Sequence, residues 1–306
     1  MAKKIKGIKA KSTTKDRLFS LIVYTLLGLA LIVVLYPLIY IISASISSPT
    51  EVGSGRMWLW PLDITFGGYD IIFKNADIWN GYKNTIFYTL LGTSINLFVT
   101  LPCAYALSRK NMLGKKAFMK MLVITMFISG GLIPTFILVK SLGMYNTIWA
   151  LVIPNAASVY NIVVTRTFFE TTIPDELEES ASVDGASDLR IFFQIVLPLS
   201  MPIVAVMALF YGVGQWNGYF NALIYLSDRS LYPLQLILRE ILVVQDMSSN
   251  TTNFSTTSAE MLQQKQQLVD VIKYGVMIVS TLPVIMIYPF LQRFFVKGVM
   301  IGSIKG

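Results

Sequence analysis

The stretch Pro174–Pro202, "PDELEESASVDGASDLRIFFQIVLPLSMP", breaks the character of the chain around it. Asp175, Glu176, Glu178 and Glu179 crowd together inside a sequence otherwise dominated by apolar runs. Pro174 suits a first helical turn, where its missing N–H costs nothing, and the carboxylates behind it sit where the positive end of a helix dipole favours them. Gly185 predicts a left-handed stop to that helix. Ser187 is then the N-cap of a second short helix, whose apolar residues Phe192, Ile195, Val196 and Leu199 recur at i, i+3, i+4 and i+7. Pro198 and Pro202 bend the chain into the next apolar run. The stretch therefore predicts a polar helix, a tight turn and another helix.

Around it the chain reads as an integral membrane protein. Of its 306 residues 54% are hydrophobic and 14% charged, against about 25% charged in soluble domains. A helix needs roughly 20 apolar residues to cross a hydrocarbon core about 30 Å thick. Six runs meet that length: Leu18–Ile42, Thr85–Leu107, Ala117–Val139, Thr147–Phe169, Pro198–Leu223 and Val269–Phe295. The first follows a basic leader, but it is longer than the roughly 7–15 apolar residues of a secretory signal, so it reads as an uncleaved span.

Lysine and arginine set the orientation. With the N-terminus inside, 17 of the 25 basic residues fall on the cytoplasmic side, including Lys3, Arg17, Arg109, Lys110, Lys115, Arg166 and Arg190. Both termini and the acidic stretch are then cytoplasmic. Two long segments lie outside. Ser43–Asn84 carries "MWLWPLDITFGGYDIIF", and the segment from Tyr225 to Leu268 holds the amphipathic "LYPLQLILREILVV" followed by the polar "SSNTTNFSTTSAEMLQQKQQ", which reads as a loop.

Several chemistries are disfavoured by composition. There is no histidine, and Cys103 is the one cysteine, so no disulfide can form within the chain, most zinc chemistry is excluded, and the commonest general base is missing. The sole Gly-Lys pair, Gly114-Lys115, lacks both the first glycine and the hydroxyl residue of a P-loop. An intramembrane hydrolase would need a nucleophile and base, or paired acids, within the runs, and these offer almost no carboxylate. The net charge of +8 follows the membrane pattern rather than marking a nucleic-acid surface.

The order of residues within the opening stretch points further. "ESASVDGASDLRIFFQIVLP" closely resembles the EAA motif of ABC-importer permeases, in which Glu-Ala-Ala is followed by Asp-Gly and, ten residues after the glycine, by Ile-x-Leu-Pro. Glu179, Ala181, Asp184, Gly185, Ile195, Leu197 and Pro198 occupy the matching places; Ser180 departs from the usual alanine but is also small. In that family the unit is the coupling helix, here within the loop 171–197, which docks in a groove on a cytoplasmic ATPase and passes its motion to the spans. It has no catalytic role. "YPLIYIISASIS", "SGGLIPTFILVKSLGMYNTIWALVIP" and "LYPLQLILREIL" are similar to the carbohydrate-uptake branch, the maltose-permease-like proteins and especially those for complex oligosaccharides.

The resemblance implies an all-α integral membrane fold: a six-span type I importer permease domain over 18–295, a basic cytoplasmic segment 1–17 and a cytoplasmic tail 296–306. It implies import of oligosaccharides or complex glycans across the cell membrane, with a homologous permease forming a heterodimer, two ATPases that carry ATP and Mg, and an extracellular solute-binding lipoprotein. An importer of another small solute such as an amino acid is the alternative. No metal or cofactor is expected on this chain. Gln215, Trp216, Asn217 and Tyr219 in the fifth run, with Asn155, Tyr160 and Asn161 in the fourth, would be costly facing lipid and suit a sugar's hydroxyls and C–H faces; they equally suit hydrogen bonding between helices. Gly214 and Gly218 form a GxxxG packing signal. In maltose-type relatives one subunit's C-terminal tail enters the interface between the ATPases, which makes Gly302 and Lys305 candidate ATPase contacts.

Overall fold

Thr13 opens the first long helix, α1 (Thr14–Ser45), through a reciprocal cap: Asp16 N–H donates to Thr13 Oγ1 (3.3 Å) and Thr13 N–H to Asp16 Oδ2 (2.8 Å). α1 is apolar all round, and none of its residues from Leu18 to Ile42 is buried, the pattern of a helix solvated by lipid or by another chain. The computed structural model describes residues 13–250, 272–289 and Gln292. These fall into two units, residues 13–71 with 272–278 and residues 72–250 with 279–289.

In the first unit the chain leaves α1 and folds back on its end through α2 (Pro49–Gly53) towards α3 (Gly67–Lys74), which runs on into the second unit. Ser43 Oγ donates to the Leu59 carbonyl (2.6 Å), Thr65 N–H to the Ile46 carbonyl (2.9 Å) and Tyr69 OH to Ser45 Oγ (2.9 Å). Ala44, Val52 and Met57 form the small core beneath, with Tyr40 and Tyr274 against it.

The second unit is built on α4 (Ala76–Ser108). The chain continues through α5 (Lys115–Phe127), α6 (Leu132–Ser141), α7 (Trp149–Val152) and α8 (Val159–Thr172) to α9 (Asp175–Val183). After α10 (Asp188–Ile191) comes a π-helical turn, Phe192–Val196, leading into α11 (Leu197–Leu199), α12 (Met201–Trp216), α13 (Phe220–Tyr225), α14 (Leu234–Asn250) and α15 (Ile272–Pro289). α8, α12 and α14 pack on α4. The main core joins Leu101, Ala104 and Leu107 of α4 to Ile162 and Phe169 of α8, to Ile191, Phe192 and Val196, and to Ile203, Met207 and Tyr211 of α12. The amphipathic piece "LYPLQLILREILVV" is helical from Leu234, as its pattern suggests, with Leu234, Leu236, Ile237 and Leu238 buried.

Three of the six apolar runs are not continuous helices. The third bends by 113° between α5 and α6, where Ile128 is extended and Gly131 has φ 82°. The fourth is interrupted between α7 and α8 at Pro154–Ser158, and Ser158 caps the new helix. The fifth turns by 83° at Ser200, before Pro202, and stops at Trp216. Among the described residues three helices are long and apolar enough to cross a membrane, or up to five if each of two bent pairs is one span. Glycine, proline and capping serine divide these three runs.

Candidate functional site

The polar stretch folds as its residues dictate. Pro174 caps α9, Asp175, Glu176 and Glu178 lie in its first turn, and Gly185 takes φ 80°, a left-handed turn that a β-carbon would strain. Ser187 Oγ accepts from the Arg190 N–H (3.4 Å). The second helix differs from expectation. The π turn at Phe192–Val196 shifts the helical phase, so Ile191, Phe192 and Val196 are buried while Leu199 is half exposed. Ala181, Ile195 and Leu197 pack against the core. Glu179, Asp184, Gly185 and Pro198 face outward, and so do the apolar Val183, Leu189 and Phe193, at 88%, 71% and 57% exposure. Three such exposed apolar side chains on an acidic unit are available to a protein partner.

The inner face of α9 meets the C-terminal end of α4. Arg109, the C-cap of α4, pairs with Glu178, lies 4.8 Å over the Tyr105 ring, and donates twice to Ser108 Oγ (3.0 and 2.8 Å). Lys110 lies 2.5 Å from Asp175. That hydrogen bond and charge hold Asp175 below the usual carboxylate range and raise Lys110, although Lys110 is largely exposed and Asp175 partly so. Glu170 accepts from Lys115 and Arg166 (2.7 Å each), and these cations also donate to the Ser108 (3.2 Å) and Leu107 (3.1 Å) carbonyls. The negative end of α4 is thus covered by cations that the acidic unit and α8 neutralise.

Towards the other end of α4 is a cavity of about 340 Å³, lined by amides, hydroxyls and aromatic rings and, among the described residues, by no charged side chain. Gln215 donates to the Asn96 amide oxygen (3.1 Å), and Asn96, fully buried, donates to the Asn155 carbonyl (2.6 Å). The Tyr211 hydroxyl bonds Thr100 (2.7 Å) and accepts the Ser158 N–H (3.3 Å). The β-carbon of an alanine at 92 would stand 2.6 Å from the Gln215 amide, so α4 and α12 approach closely there because residue 92 is glycine. Such a cavity can hold a neutral polyhydroxylated ligand.

The structure brings Asn155, Asn161 and Gln215 to this cavity, with Ser158 and Asn221, but not the four aromatic and amide residues expected beside them. Trp216 is buried on the far side of α12, donating to the Ser280 carbonyl (3.0 Å) and lining a separate apolar cavity of about 280 Å³ with Thr93, Val284 and Ile287. Asn217 turns back on the Val213 carbonyl (3.0 Å). Tyr160 is 57% exposed, and Tyr219 has the Arg239 guanidinium 5.6 Å from its ring centroid. Tyr160 belongs to the fourth run; in the fifth, α12 ends at Trp216, so helical rotation of about 100° sends Gln215 and Trp216 to different cavities, while Asn217 and Tyr219 lie beyond the end of the helix. No neighbour among the described residues comes within 4 Å of a β-carbon at Gly214, so the GxxxG signal marks no close packing inside the chain there. Gly302 and Lys305 lie outside the described residues.

Asn96, Thr100 and Tyr211 were not expected at the site. A buried amide in the middle of the second run, "GTSINLFVT", was the available signal. Arg109 and Glu178 were likewise unassigned, one read only as an orientation marker and the other as a helix-dipole charge.

Comparisons with known proteins agree with this architecture. The family model described as "Binding-protein-dependent transport system inner membrane component" matches residues 78–301. The polygalacturonan/rhamnogalacturonan transport system permease protein YtcP of Bacillus subtilis (strain 168) is 39% identical over 292 residues, 95% of this chain and 100% of that protein. Protein LplC of the same organism is 36% identical over 96% of this chain and 97% of its own length. A chain in the crystal structure of a bacterial ABC transporter involved in the import of the acidic polysaccharide alginate superposes with a TM-score of 0.82 at 34% identity, covering 94% of this chain and 100% of that one. With its helical membrane fold and its Gly185 turn between two short helices, the chain belongs to the family of binding-protein-dependent transport system inner membrane components, the permeases of ABC transport.

Proposed function

We propose that this chain is the permease subunit of an ATP-driven importer of oligosaccharides or complex glycans, lining the translocation pathway together with a homologous permease. The observation that carries the reading is the uncharged cavity of amides and hydroxyls beside α4; among the relatives, YtcP is named as a polygalacturonan/rhamnogalacturonan transport system permease protein. Hydroxyl-rich substrates replace their hydration there with Asn, Gln, Ser and Tyr groups, and no fixed charge holds them too tightly to leave. Two cytoplasmic ATPases supply the energy, binding ATP and Mg themselves; the apolar tip Val183–Leu189–Phe193 beside Glu179 and Asp184 is the surface offered to them. An extracellular binding lipoprotein delivers the substrate, and both termini are cytoplasmic. Gly302 and Lys305 are proposed as further ATPase contacts.

The test is reconstitution in proteoliposomes of this chain with a homologous permease, ATPases and a binding protein, followed by uptake of labelled oligosaccharides. ATP-dependent accumulation of a glycan is expected. ATP turnover by the purified single chain, or accumulation of an amino acid in place of a glycan, refutes the reading.

A further inference from the structure

Asp175 and Glu178, at i and i+3 on α9, share the face turned to the end of α4 and take Lys110 and Arg109 as partners, whereas Glu179 beside them is exposed. The acidic unit is therefore joined to the rest of the fold by two routes. One is covalent, through α10, the π turn and α11 into α12, and it passes the 83° bend at Ser200. The other is ionic and enters α4 directly. The two ion pairs differ in environment. Lys110 and Asp175 are 79% and 44% exposed, where such pairs contribute little. Arg109 and Glu178 are 17% and 15% exposed, so removing either partner leaves a nearly buried charge without its counterpart. Arg109 is further fixed by Ser108 Oγ and the Tyr105 ring.

We propose that the Arg109–Glu178 pair is a positioning clamp that makes α4 a second output of the coupling unit. α4 is one continuous helix from Ala76 to Ser108. Asn96 lies 13 residues before Arg109, about 20 Å at 1.5 Å per residue, so a displacement of α9 carried by the clamp reaches the cavity wall at Asn96. The covalent route moves Gln215 on α12, the partner of Asn96 across the cavity. Both walls then respond to one unit. Without the clamp only the α12 wall is driven, and ATP is hydrolysed without matching movement of substrate.

This inference rests on the importer reading, and two measurements separate their failures. In the complete reconstituted transporter, Glu178→Gln and Arg109→Gln keep ATPase subunits bound and hydrolysing, while uptake per ATP falls at least about fivefold, the lower end of ordinary site-to-site coupling. The charge-swapped Arg109→Glu/Glu178→Arg protein recovers it, and Lys110→Ala, at the exposed pair, leaves it unchanged. Independently of transport, hydrogen exchange on the full chain quickens in α9 and in the last turn of α4 in both single variants, and slows again in the swap. A wild-type complex without ATP-driven glycan uptake refutes the importer reading, and the exchange measurement then decides the clamp. Singles that couple and exchange like wild type, or a swap as defective as the singles, overturn it.

Discussion

Replacing Gly92 by alanine puts a methyl group 2.6 Å from both Cδ and Nε2 of Gln215 and 3.1 Å from its Cγ. Contacts that short do not persist, so Gln215 must swing away or α4 and α12 must part. Gln215 is a flexible side chain, but its amide is committed to Asn96 Oδ1 at 3.1 Å, and Asn96 is fully buried. Overpacking of this kind costs about 1–3 kcal/mol and a lost hydrogen bond about 1 kcal/mol, against about 1 kcal/mol gained from alanine's helix propensity. The net expectation is a loss of about 1–3 kcal/mol. Gly214→Ala is the matched control: it gains the same propensity, and its β-carbon meets none of the described residues within 4 Å. Thermal unfolding of the detergent-purified transporter, followed by tryptophan fluorescence, should give a lower midpoint for Gly92→Ala and a midpoint at or above wild type for Gly214→Ala. Gly92→Ala with Gln215→Ala removes the obstructing side chain and should recover much of the loss. If the two glycine variants melt alike, or if the double variant is the simple sum of its singles, the close approach of α4 and α12 is not what glycine provides at 92.

Three further outcomes are expected. Gly185→Val forces a β-branched residue into φ 80° at roughly 1–3 kcal/mol of local strain; pull-downs with a tagged permease should retain the permease partner and lose the ATPases, and full ATPase recovery with full uptake would contradict this. Trp216→Ala empties a buried site and strips a donor from the Ser280 carbonyl, costing about 3–5 kcal/mol, so it should lower the yield of folded protein, whereas Asn217→Ala should assemble normally; equal yields would refute the burial argument. Asp175 has a depressed pKa in the fold, so its contribution is complete above its unfolded value of about 3.9 and disappears as pH falls through the folded value; the raised pKa of Lys110 places the opposite loss at strongly alkaline pH. Unfolding midpoints of wild type and Asp175→Asn should therefore differ by a constant amount near neutrality and converge in acid, and a difference that grows in acid would show the pair is not the source.

What could be read in advance divides by the range of the interaction involved. The turn at Gly185, the cap at Ser187 and the acidic first turn of α9 are local, set by residues within one helical turn, and were legible. The apolar runs gave the membrane class. Where those runs break depended on how Gly131, Ser158 and Ser200 were used, and each of these residue types also occurs inside unbroken helices. The cavity was half legible: Asn155, Asn161 and Gln215 stood out as amides in apolar runs, but so did Asn217, which turns back on its own helix. Asn96 and Tyr211 meet across 59 and 53 residues of chain to the loop before α8, a pairing that no local pattern contains. The partnership of Arg109 with Glu178 is non-local in the same way.

The π turn at Phe192–Val196 works as a phase adjuster. An α-helix advances about 100° per residue, and a π turn accommodates one residue more than an α turn, so everything after Val196 is rotated relative to the acidic unit by that single surplus residue. Removing one residue from the turn would restore ordinary winding and present a different side of the downstream helix to α4 while leaving its side chains unchanged. The position of that single residue is thus what aims the downstream side chains, independently of the acidic unit before it.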